Sequence, residues 1–157
     1  MARAQVLSSL ISLLLAYGPA HGETLVVPDQ FPSIQAAITS AVEGDTVLVR
    51  PGTYQEAITW ADKDLILRGE QLPPSVIVTG GSASRVMSIG PGVTQQSVIE
   101  NLTIRDGLAE EGGGIKLVGS APIIQHCRFE ANGVAPFPWM GWGFQFLPPG
   151  FQLIEAG

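Results

Sequence analysis

The feature that most constrains this chain is the stretch Phe31–Arg68, FPSIQAAITSAVEGDTVLVRPGTYQEAITWADKDLILR, where one helical period gives way to short apolar runs. Ile34, Ala37, Ile38 and Ala41 fall at i, i+3, i+4 and i+7, a single apolar stripe. Pro32-Ser33 opens this helix with Ser33 as its N-cap, and Gly44 stands where a C′ glycine would stop it. A helix of about ten residues is unstable by itself, so the stripe must cover an apolar surface.

The residues that follow supply such a surface. Thr46–Arg50, Gln55–Trp60, Leu65–Arg68, Val76–Thr79 and Val86–Ile89 read as short strands, as does Thr24–Val27 before the helix. Pro51-Gly52, Asp62-Lys63-Asp64, Gly69, Gly80-Gly81 and Gly90-Pro91-Gly92 punctuate them. No second helical period separates these strands, which argues against βαβ units. An antiparallel sandwich and a solenoid remain.

Internal similarity favours the solenoid. Ile99–Gly107, IENLTIRDG, aligns with Ile124–Gly133, IQHCRFEANG, so that Leu102 matches Cys127, Ile104 matches Phe129 and Asn101 lies opposite His126. The step, about 25 residues, is one that repeat architectures use. Asp64–Gly69, DLILRG, is a weaker relative, and Gly112–Leu117, GGGIKL, adds Ile115 and Leu117 inward with Lys116 outward. Alternation puts Leu102, Ile104, Cys127 and Phe129 on the inner face and Thr103, Arg105, Arg128 and Glu130 on the outer one.

Bulk properties narrow the function. Apolar residues make up 45% of the 157 and charged ones 14%, enough to bury a core. The formal charge is −6 and there is no Lys/Arg cluster, so no nucleic-acid partner is expected. A single cysteine, Cys127, excludes an intramolecular disulfide framework. At the N-terminus, Arg3, the apolar run Val6–Ala16 and the small residues of Tyr17–Gly22 have the layout of a secretory signal, with cleavage after Ala20 or Gly22, the latter preferred. The run is too short to span a bilayer. The expected organisation is a signal peptide over 1–22, β-helix coils over 23–133, and no transmembrane span once the signal is removed; the location is then secreted, periplasmic or cell surface.

FPSIQAAITSAVEGDTVLVRPGTY resembles the opening of right-handed parallel β-helix proteins of the pectin-lyase-like superfamily. Ile34, Gln35, Ala37, Ile38, Gly44, Asp45, Thr46, Val47, Pro51, Gly52, Thr53, Tyr54 and Glu56 match that opening, which in the family is an N-terminal capping helix and first coil. GGGIKLVGSAPIIQHCRFEANG resembles the coils of bacterial-surface β-helix repeat proteins through Gly112, Gly113, Gly114, Ile115, Ser120, Pro122, Ile124, Cys127, Phe129 and Asn132. The resemblance implies an all-β chain: a right-handed parallel β-helix with a short capping α-helix, whose stripe would cover the open end of the stack. It does not imply an activity, because esterases, lyases, epimerases and non-enzymatic repeats share the opening.

Residues 134–157, VAPFPWMGWGFQFLPPGFQLIEAG, break the pattern and are rich in aromatics, proline and glycine. Two readings stand: a C-terminal cap or partner-binding segment, or a truncated or frame-shifted end that makes this chain the front of a longer protein.

No catalytic constellation stands out. Asp62/Asp64 and Glu110/Glu111 read as solvated turns, since paired carboxyl catalysis needs a defined separation across a groove and calcium needs converging oxygens. The pectin methylesterases carry their catalytic residues in later coils with no counterpart here. Asp106 reads as a turn former before Gly107. His126 and Cys127, as strand neighbours, would face opposite ways, and Cys127 reads as a core residue. His21 goes with the signal. Asn101 in Asn101-Leu102-Thr103 is formally a glycosylation sequon but is read as bonding backbone at a corner. Gly112-Gly113-Gly114 is a tight turn rather than a phosphate loop. No catalytic, cofactor or metal residue is therefore assigned. Three functions are weighed: a secreted or surface module that binds polysaccharide, cell-surface glycan or a partner; a pectinesterase- or lyase-type enzyme whose catalytic coils are missing; and a structural stalk.

Overall fold

Short strands return to the same four sheets coil after coil. The computed structural model describes residues 22–135. In chain order these form β1 (Thr24–Val27), α1 (Ile34–Ser40), β2 (Thr46–Val49), β3 (Gly52–Gln55), β4 (Ile58–Trp60), β5 (Ile66–Gly69) and β6 (Val76–Thr79). There follow β7 (Met87–Ile89), β8 (Val98–Glu100), β9 (Thr103–Arg105), β10 (Leu108–Ala109), β11 (Ile115–Leu117), β12 (Ile123–Gln125), β13 (Arg128–Glu130) and β14 (Gly133–Val134). The signal-peptide expectation and most of the aromatic segment lie outside the described residues.

The sheet orders are β1-β2-β5-β8-β12, β3-β6-β9-β13, β4-β7-β11 and β10-β14. Every described strand pair is parallel, which disposes of the antiparallel sandwich. In the longest sheet Thr46 pairs with Ile66, Ile66 with Val98 and Val98 with Ile123, each the same strand one coil later. The fold is a parallel β-solenoid of about four turns. The expected alignment of the last two coils holds, since Val98↔Ile123, Thr103↔Arg128 and Leu108↔Gly133 all share one offset of 25 residues.

Stacking like on like makes the core. Leu25, Val47, Leu67, Ile99 and Ile124 form one inward column, and Val78 with Ile104 and Ile58 with Met87 form others. All but Ile124 are buried, and burying each such side chain contributes about 1.5–3 kcal/mol. Trp60 is buried and donates its indole N–H to the Lys63 carbonyl at 2.9 Å.

Two element boundaries differ from the sequence reading. Gln55–Trp60 is not one strand but the end of β3, a corner at Glu56-Ala57 and β4. The solenoid turns there, and the Glu56 side chain is drawn to the helix. The helix has seven residues, and its C-cap is Ala41 in extended backbone (φ −64°, ψ 149°), not a glycine. Its exit is tied by other groups: Lys63 Nζ donates to the Ala41 carbonyl at 2.6 Å and Asp45 accepts the Val42 N–H at 2.8 Å. Gly44, at φ 84°, instead turns the chain into β2. The stripe of Ile34, Ala37, Ile38 and Ala41 is buried as expected, and α1 packs on β1, β2 and β4.

The coil corners repeat too. Asn101 (φ 60°) recurs as His126 (φ 50°), and Asp106 (φ 51°) as Ala131 (φ 48°). Left-handed backbone is costly for most residues and least so for Asn, Asp and His, which three of these four are. Strand pairing continues through Val134, and the Ala135 N–H donates to the Ala109 carbonyl at 2.9 Å. Among the described residues no helix is long and apolar enough to cross a membrane.

Candidate functional site

The polar residues of the opening motif are engaged in holding α1 to the first coil. Glu56 accepts the N–H groups of Ile34 and Gln35, one on each carboxylate oxygen, both at 2.9 Å. These are donors that the first turn of a helix leaves without partners. Ser33 caps the next, accepting the Ala36 N–H at 3.1 Å. Gln35 exchanges two bonds with the Thr59 backbone, at 3.1 and 2.7 Å. Asp45 joins the chain entering β1, through the Glu23 N–H at 2.8 Å, to the helix exit. Tyr54 donates its hydroxyl to the Arg50 carbonyl at 2.9 Å.

The Asp62/Asp64 pair separates. Asp62 is an exposed corner residue at φ 64°, as a solvated turn should be. Asp64 is buried, which corrects that expectation. It accepts the Thr94 N–H and hydroxyl, both at 2.6 Å, and the Ser97 hydroxyl. Burial would push its pKa up, but these hydrogen bonds outweigh it and hold the carboxyl below its usual range. Asp64 therefore staples the long loop before β8 to the coil beneath. The sequence signal was weak: Thr94 and Ser97 lie 30 or more residues away.

Among the described residues, the outer face of β1-β2-β5-β8-β12 carries a polar array that crosses coils, as Arg50 does between Asp29 and Glu70. In register across three coils, Arg68 meets Glu100 and Glu100 meets Gln125. The Arg68 guanidinium bonds one Glu100 oxygen and the Gln125 amide donates to the other at 2.6 Å. The Gln125 bond, against desolvation and with help from Arg68, holds Glu100 below the usual carboxylate range. Beside this ladder runs an apolar row, Ile66, Val98 and Ile123, half-buried to exposed, with Val26 and Leu48 continuing the neighbouring row. Both Glu100 oxygens are thus engaged within the ladder. The aligned copies IENLTIRDG and IQHCRFEANG do place Glu100 and Gln125 at matching positions.

The other candidates keep local roles. Asp106 sits at a left-handed corner and pairs with Arg105 at 2.7 Å. Glu111 pairs with Lys116 at 2.7 Å, while Arg85 donates to the carbonyls of Glu111 and Gly112 and holds the turn of Gly112-Gly113-Gly114. Glu110 is exposed. His126 and Cys127 lie between β12 and β13 rather than on a strand, so the argument from alternation does not apply to them; His126 is exposed at its corner, and Cys127 packs against the core. Asn101 donates to the Gly69 carbonyl one coil back at 3.4 Å, with Leu102 and Thr103 buried beside it. Asn132 bridges coils in the same way, donating to the Ile104 carbonyl at 2.8 Å and accepting the Gly107 N–H at 3.0 Å. His21 lies outside the described residues.

Among the described residues no three His, Cys, Asp or Glu side chains converge as a metal site would require. Compared with protein-family models, with curated proteins and with solved structures, the chain matches none.

Proposed function

We propose that this chain is a secreted or cell-surface binding module without catalysis of its own. In this reading it is a right-handed parallel β-helix of the pectin-lyase-like type, with α1 as its N-terminal cap and the Arg68–Glu100–Gln125 face as its binding surface. One observation carries the proposal. Gln35, Asp45 and Glu56, three of the polar side chains shared with the opening segment of polysaccharide-active enzymes, are engaged in fastening α1 to the first coil. What the chain shares with those enzymes is a way to begin a coil stack, not a reaction.

A carbohydrate ligand fits the candidate face better than a strongly charged one. Sugars present hydroxyls together with apolar C–H surfaces, and the face offers a polar ladder beside an apolar row. The overall charge of −6 disfavours polyanions at low salt. Affinity electrophoresis of the purified protein against a panel of neutral and acidic polysaccharides tests this. Retardation by at least one is expected, lost in Arg68→Ala/Gln125→Ala, with no methanol or unsaturated sugar released. Turnover overturns the non-catalytic reading, and absence of retardation on the whole panel overturns the carbohydrate assignment. Export is tested by N-terminal sequencing of the mature protein, with Glu23 expected as the first residue.

A further inference from the structure

The first coil holds a buried carboxylate without a counter-ion. Asp45 is 4% exposed, yet among the described residues no lysine, arginine or histidine forms an ion pair with it. A buried charge left unpaired is costly. Backbone donors hold it instead: Oδ2 accepts the Val42 N–H at the helix exit and Oδ1 accepts the Glu23 N–H, both at 2.8 Å. Both partners are fixed by strand pairing, since the Glu23 carbonyl accepts the Thr46 N–H at 2.8 Å and the Asp45 carbonyl accepts the Ile66 N–H at 2.9 Å. The neighbouring charges are spent elsewhere. Glu43 accepts the Asp64 N–H at 2.9 Å, and Lys63 donates to the Ala41 carbonyl at 2.6 Å.

We propose, on the export reading with cleavage after Gly22, that signal removal makes the Glu23 nitrogen the counter-ion that Asp45 lacks. Hydrolysis of the Gly22–Glu23 peptide bond takes up one water. Gly22 leaves with a carboxylate, and the Glu23 nitrogen becomes an amine that carries an extra proton at neutral pH. That nitrogen already sits 2.8 Å from Oδ1, and Glu23 is exposed, so the remaining protons meet water. A charge-assisted hydrogen bond is roughly twice as strong as a neutral one. Processing therefore tightens the tie between β1 and the exit of α1, a tie that stays neutral in any chain continuing upstream of Glu23. The carboxylates of Asp45, Glu43 and Glu23 itself favour the ammonium, and Lys63 opposes it. The folded ammonium then holds its proton to higher pH than the unfolded one. Its contribution is complete below the ordinary α-amino pKa of about 7.7–8.0 and is lost as pH rises through the folded value.

Urea unfolding of two chains, one starting at Glu23 and one at Gly22, tests this, each with Asp45 and with Asp45→Asn. The chain starting at Gly22 keeps the Glu23 amide and moves the ammonium to an exposed residue. The Glu23 chain is expected to have the higher midpoint by about 0.5 M at pH near 6.5. That advantage should vanish at pH near 10 and be absent between the two Asp45→Asn chains. Equal midpoints at the lower pH overturn the ion pair. So does an advantage that survives in Asp45→Asn or ignores pH. Should Asp45→Asn fail to fold, the pH comparison of the two unsubstituted chains decides. A first residue other than Glu23 on the exported protein overturns the cleavage reading and the ion pair together, whereas the midpoints strike the ion pair alone.

Discussion

The first and the last described coils of this solenoid are built by different rules. At the first coil, a buried helical stripe is backed by polar ties: Glu56 at the helix start, Lys63 and Asp45 at its exit, Gln35 on the β4 backbone. At the last coil the inward residues Phe129 and Leu117 remain half exposed among the described residues, and no comparable set of ties surrounds them. The difference teaches that seating a helix on an apolar column takes two ingredients. Apolar area drives it on, and directional hydrogen bonds fix its angle and register. The first coil has both within a stretch of some forty residues, and that is why it is legible.

The largest effect that would break this contrast is at the stripe. Ile38→Asp puts an unpaired charge between α1 and the first coil and is expected to cost about 3–5 kcal/mol in thermal or urea unfolding. An unchanged midpoint would mean the stripe contributes no burial. Next, Leu102 and Cys127 occupy equivalent places one coil apart, so the same truncation compares the interior with the end. Leu102→Ala is expected to cost about 2–5 kcal/mol and Cys127→Ala under about 1 kcal/mol; equal losses would show the last coil to be as tightly packed as the one before it.

Asp64 tests the middle of the stack. Asp64→Ala leaves the Thr94 N–H and the Thr94 and Ser97 hydroxyls without their acceptor and is expected to cost about 1–3 kcal/mol at pH 7. The folded carboxyl titrates below the unfolded one, so its contribution is complete above the unfolded pKa and disappears as pH falls through the folded value. The gap between wild type and variant should therefore narrow as pH drops below about 4, the ordinary range for aspartate. A gap that stays constant down to pH 2 would mean the carboxylate is not what the loop is bound to. The smallest effect is at the helix start: Glu56→Ala removes the acceptor for two N–H groups and is expected to cost about 1 kcal/mol, with Glu56→Gln retaining part of it.

Much of the fold could be read in the chain because a solenoid writes its register locally. The offset between IENLTIRDG and IQHCRFEANG is the offset of the strand pairs, since each residue stacks on its own equivalent. Corners were harder. Asn101 and His126 align in the sequence, but nothing in a run such as IQHCRF says that His126 leaves the strand; that follows from the left-handed backbone the corner demands. The Glu100–Gln125 ladder was visible as two polar residues at one repeat position, yet its third member, Arg68, sits 32 residues from Glu100 across the longest coil.

By itself, then, the amino-acid order determined the period, the inward columns, the helical stripe and its Ser33 cap, all of which depend on neighbours within a coil or on one repeated spacing. Tertiary structure alone decided that Asp64 is buried, that Glu56 and Lys63 close the two ends of α1, and that Arg68, Glu100 and Gln125 share one face. Those facts depend on loops of unequal length bringing distant residues into register, and a hydrogen bond is sensitive to a few tenths of an ångström while an apolar column tolerates more.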